Sequence, residues 1–73
     1  MEVKIGIENS PRELVIETNE ERAAVQELVS TALKDSSILE LTDSRGRAYL
    51  VLGSKVTYVE IGGGVAGQVG FRS

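Results

Sequence analysis

The chain has 73 residues, 41% of them apolar and 26% charged, with eight lysines and arginines against eleven aspartates and glutamates and a formal net charge of −3. This composition describes one small globular domain over 1–73 rather than a disordered segment, and a domain of this size buries only about 60% of its unfolded surface. Cysteine, histidine and tryptophan are absent, which excludes disulfides, thiolate or imidazole catalysis and the usual zinc ligands, while the acidic balance disfavours a nucleic-acid partner.

Val3, Ile5 and Ile7 alternate with Glu2, Lys4, Gly6 and Glu8, the period of a half-buried strand. No apolar run here or later is long enough for a signal peptide or a membrane span, so a soluble cytoplasmic protein without membrane contact is expected. Leu14-Val15-Ile16 marks a second strand over about 12–18, after the turn residues Asn9-Ser10-Pro11-Arg12. A four-residue loop would set Ile7 opposite Leu14 and Ile5 opposite Ile16, keeping the aliphatic residues on one face.

Thr18 followed by Glu21 fits a capping box. The helix it predicts carries an apolar stripe of Ala24, Val25, Leu28, Val29, Ala32 and Leu33, and stops near Asp35 with Lys34 complementing its dipole.

Three further strands are predicted over 38–43, 47–52 and 55–61. Gly53-Ser54 suits a type II′ hairpin that would pair Val51 with Val56, Tyr49 with Tyr58 and Arg47 with Glu60. An even-length turn at Asp43-Ser44-Arg45-Gly46 would set Leu41 opposite Leu50 and Leu39 opposite Leu52. Those registers send Ala48, Leu50, Leu52, Thr57, Val59 and Ile61 toward the helix. They leave Val15, Ile38, Tyr49, Val51, Val56 and Tyr58 on a second apolar face. A glycine-rich stretch over 62–67 then leads to a short edge strand over 68–72. The predicted fold is α+β, in the order β-β-α-β-β-β. Its single helix packs on one face of a four- to five-stranded, mostly antiparallel sheet, with the element order of a ubiquitin-like β-grasp.

The chemical motifs are weak. Gly62-Gly63-Gly64-Val65-Ala66-Gly67 matches G-x-G-x-x-G, but strand-like alternation follows it where a nucleotide site needs a helix and a later acidic residue. Arg45 and Arg47 at a hairpin tip are candidates for an anion site, though turn charges of this kind are commonly solvated. Glu20, Glu21 and Glu27 lack converging ligands, so a capped, solvated helix face accounts for them, and the serines have no histidine to activate them. Paired tyrosines serve as a base-stacking platform in single-strand binders, yet a basic rim is missing here. A protein contact or simple sheet stabilisation suits them better.

The chain resembles a family of small actinobacterial proteins of unknown function. The resemblance rests on Met1-Glu2-Val3-Lys4-Ile5-Gly6-Ile7, Pro11-Arg12-Glu13-Leu14, Leu41-Thr42-Asp43-Ser44-Arg45-Gly46-Arg47, Tyr58-Val59-Glu60-Ile61-Gly62 and Val69-Gly70-Phe71. It implies a short cytoplasmic protein, sometimes labelled ATP-binding, and carries over no catalytic or binding residues. This chain departs from the family pattern at Leu52-Gly53-Ser54-Lys55, where a proline-containing turn is more usual, and at the glycine run, where charged residues are.

With one helix to cover one sheet face, the second face needs a partner. The expected function is therefore a non-catalytic, homo-oligomeric or protein-binding module, without cofactor or metal. It would act as a dimer or with an unidentified protein through Val15, Ile38, Tyr49, Val51, Val56 and Tyr58. The alternative is small-ligand or nucleotide binding at the Arg45–Arg47 hairpin and the glycine loop.

Overall fold

A computed structural model describes residues 1–62. The predicted strand over 68–72 and the glycine run beyond Gly62 lie outside the described residues. The elements are β1 (Glu2–Ile7), β2 (Leu14–Glu17), α1 (Arg22–Asp35), β3 (Ile38–Thr42), β4 (Ala48–Leu52), a 3-10 turn (Gly53–Lys55) and β5 (Val56–Ile61). This is the α+β class and element order the sequence predicts. The strands, however, form two sheets, β2-β1-β5 and β3-β4, instead of one. Every pairing is antiparallel, so the neighbours β1 and β5 lack the parallel central pair of ubiquitin-like folds.

β1 is central because it is apolar enough to be buried: Val3 and Ile5 are fully enclosed, against Ile16 on one side and Val59 and Ile61 on the other. Val3 faces Ile16 and Ile5 faces Leu14, a register two residues away from the predicted one. Asn9 causes the shift. It takes a left-handed φ of 64°, a conformation asparagine tolerates, and closes a turn in which the Ser10 N–H bonds the Ile7 carbonyl at 3.0 Å. The remaining residues up to Leu14 form an excursion. A shift of two preserves the faces, so Ile5 and Ile16 still meet in the core.

The capping box does not form. Thr18 is held as an extension of the β1–β2 ladder, its N–H bonded to the Met1 carbonyl at 2.9 Å. Its buried hydroxyl accepts from the Glu20 N–H at 3.1 Å, stabilising a turn before the helix instead of the helix itself. The helix starts at Arg22 with no side-chain cap, and ends as predicted at Asp35, where Ser36 adopts φ 53°. Its buried stripe is Val25, Val29 and Ala32; Leu28 and Leu33, predicted to face the sheet, are 44% and 40% exposed.

The β3–β4 hairpin differs from prediction by one residue, with Leu39 opposite Val51 and Leu41 opposite Tyr49. The Asp43 N–H bonds the Arg47 carbonyl at 2.8 Å, closing a three-residue loop, Ser44-Arg45-Gly46, in which Gly46 has φ 87°. Three-residue hairpins place a left-handed residue at that last position, and glycine supplies it without steric cost. An odd loop reverses the faces of β4. Val51 therefore enters the core while Leu50 and Leu52 turn outward.

The predicted β4–β5 hairpin is absent. A type II′ turn needs a positive φ at its first central residue, which Gly53 does not have. Its N–H instead bonds the Ser37 carbonyl at 2.8 Å, adding one rung to β3–β4. The 3-10 turn then carries the chain to β1, where β5 pairs. Tyr58 consequently faces Gly6, not Tyr49, and Glu60 faces Lys4, not Arg47.

Candidate interaction surface

The predicted second face does not exist as one surface. Val51 is a core residue, and Tyr49 and Val56 are half-buried against the core. Val15, Ile38 and Tyr58 are exposed, but Val15 and Tyr58 belong to the three-stranded sheet and Ile38 to the hairpin.

The outward face of β3–β4 takes its place. Ile38, Leu50 and Leu52 are 59%, 67% and 55% exposed, the most open large aliphatic side chains among the described residues. Ile38 lies directly opposite Leu52, and Glu40 opposite Leu50. These are the non-hydrogen-bonded pairs of the ladder, where side chains approach most closely. Beside β3, a groove lined by Leu28, Thr31, Ser37 and Ile38 continues the apolar surface onto the helix, with Glu27 and Glu40 at its rim. Sequence periodicity assigned Leu50 and Leu52 to the core; the glycine at the last position of an odd loop was the signal that would have turned them out.

Asp43 builds the hairpin tip. Its Oδ1 accepts from the Arg47 N–H at 2.8 Å and the Arg45 N–H at 2.9 Å, and the Tyr49 hydroxyl donates to Oδ2 at 3.3 Å. The Arg47 amide bond is the main reason the carboxyl lies below its ordinary value of 3.8. The Arg45 amide, the Tyr49 hydroxyl and the Arg47 charge add to it, against an opposing effect of desolvation. A lowered folded-state value means that the bonds contribute fully above the ordinary value and are lost as pH falls through the folded one. The Arg45 and Arg47 amide resonances should therefore titrate with a midpoint below 3.8, and Asp43→Asn should abolish that titration. A midpoint at or above 3.8 would refute the arrangement. Both backbone amides at the proposed anion site are thus occupied by Asp43, although neither guanidinium has an ion-pair partner among the described residues.

On the three-stranded sheet the Tyr58 ring lies over Gly6 and its hydroxyl donates to Glu13 Oε2. That bond, followed by desolvation and the charges of Glu13 and Glu60, raises the phenol above its ordinary value. Glu20, Glu21 and Glu27 do not converge. Among the described residues no three acidic side chains are grouped to hold a metal ion, and no helix is long and apolar enough to cross a membrane.

Fold and surface together define a small α+β protein with an exposed apolar hairpin face. The chain belongs to the family described as a protein of unknown function, DUF3107, whose model matches residues 1–72. This agrees with the unknown-function family that the sequence resembles. No curated protein matches the chain.

Proposed function

We propose that this is a non-catalytic protein-association module that binds another polypeptide through the outer face of β3–β4. One observation carries the reading: Ile38, Leu50 and Leu52 are all more than half exposed on one side of a two-stranded sheet. Large aliphatic side chains clustered in this way mark contact sites more often than solvated surface. The occupant is a second copy, as a homodimer, or a different protein, and a cytoplasmic location fits the resemblance noted above. The alternative, an ATP-like anion at Arg45 and Arg47, loses its backbone donors to Asp43.

Molar mass in solution across a concentration series separates the two occupants. A dimer through this face should dissociate in the Leu50→Lys, Leu52→Lys double variant while the fold is retained. Association insensitive to both substitutions would overturn the reading, as would a dose-dependent rise in Tm with ATP that is lost on replacing Arg45 and Arg47.

A further inference from the structure

The edge of β4 carries an inference that rests on the association reading and names the kind of partner. In an antiparallel pair, alternate residues turn their N–H and C=O groups toward the neighbouring strand and the others turn them away. The Asp43–Arg47 and Ser37–Gly53 backbone bonds, joined by an unbroken register, put the odd-numbered residues on the bonded side. Ala48, Leu50 and Leu52 therefore direct their backbone groups away from β3, and no other described strand pairs with β4. The same three residues have exposed side chains.

Natural sheets blunt such edges with charges, prolines or bulges. Ala48-Tyr49-Leu50-Val51-Leu52 contains none of these. Cations stand just outside it instead. Exposed Arg45 and Arg47 precede the strand and exposed Lys55 follows it, none of them in an ion pair among the described residues. Two copies paired antiparallel about Leu50 would bring the arginines of one toward the turn carrying Lys55 of the other. Like charges at both ends oppose that pairing. They favour a strand with carboxylates at its ends.

We propose that β4 accepts an added strand from a different protein: an extended segment that alternates apolar with small polar residues and is flanked by acidic ones. Its backbone bonds those of Ala48, Leu50 and Leu52, its apolar side chains lie beside Leu50 and Leu52 on the outer face, and its carboxylates reach Arg45, Arg47 and Lys55.

The probe is a synthetic peptide alternating valine and threonine with paired glutamates at each end, added to the full chain. It should slow amide hydrogen exchange at Ala48, Leu50 and Leu52. A peptide with lysines in place of the glutamates should bind about ten-fold more weakly at low salt, and the difference should shrink as salt is added. Leu50→Pro removes the central donor at a position where an edge strand tolerates proline, and should abolish binding while core amides stay protected. Should that variant unfold, Leu50 with an N-methylated backbone, introduced by semisynthesis, makes the same test. Absence of protection at millimolar peptide would overturn the proposal. So would protection that grows with protein concentration alone, which would mean a second copy, or protection in dilute protein relieved by deleting residues 63–73. If association persists in the protein with N-methylated Leu50, which keeps both leucine side chains and lacks only the N–H, the face reading stands and the strand-addition reading fails.

Discussion

Leu39→Ala should lower stability by about 2–5 kcal/mol, the range for truncating an enclosed leucine, whereas Leu28→Ala should cost no more than about 1 kcal/mol. Leu39 is 1% exposed and belongs to the central cluster with Val25, Val29 and Ala32 of the helix. Removing its isobutyl group leaves a void that surrounding β-branched side chains, stiff at χ1, are poorly able to fill. Leu28 stands at the mouth of the helix–β3 groove, 44% exposed, and its loss removes contact area without enclosing a cavity. In a domain of this size each kcal/mol displaces Tm by about 4–8 °C, so the two variants should separate clearly in a thermal melt. Helical periodicity alone would give Leu28 the loss of a core leucine, since it lies in the middle of the six-residue stripe. Equal losses would show that the helix buries Leu28 and so turns a different face to the core than Val25, Val29 and Ala32.

The features legible in the sequence are those set by local pattern. Alternation in β1 located the central strand, and the 25–29–32 spacing located the buried helix face inside a stripe drawn too wide. The end of the helix was also legible, because Lys34, Asp35 and the serine pair leave no apolar residue to continue it. Parity is lost only where the expected loop length is off by an odd number. An error of two at Asn9 left every β2 side chain on its proper face, but an error of one at Gly46 exchanged Val51 with Leu50 and thereby misplaced the candidate surface. Hydrophobicity could not correct it, because Leu50, Val51 and Leu52 are all apolar and either face of β4 reads as core. Strand partners were the least legible feature. Gly53-Ser54 has the composition of a hairpin turn, and only the tertiary approach of the chain to the end of the helix decides against one.

That approach makes Gly53→Ala more damaging than the same substitution at Gly6 or Gly46. A Cβ there would lie 2.5 Å from the Ala32 carbonyl oxygen and 2.5 Å from that of Ser37. Both atoms are backbone, and both are engaged: the Ala32 carbonyl accepts the Ser37 N–H at 3.0 Å, and the Ser37 carbonyl accepts the Gly53 N–H at 2.8 Å. Neither can retreat without opening the C-terminal turn of α1 or the first rung of β3–β4. Forced overpacking of this kind costs about 1–3 kcal/mol, and more when backbone must move. At Gly6 the atoms nearest an added methyl all belong to the Tyr58 ring, an exposed side chain that can swing outward at the cost of its bond to Glu13. At Gly46 it meets nothing, and the cost is that of holding alanine at φ 87°, about 1–2 kcal/mol. Melting the three alanine variants side by side should therefore give the largest loss at Gly53. The same variant should perturb the amides of Ile38 and Leu52, because that pair sits next to the distorted rung. A Gly53→Ala protein as stable as the parent would mean that the 3-10 turn does not press against the helix. The route of the chain from β4 to β1 would then have to be redrawn.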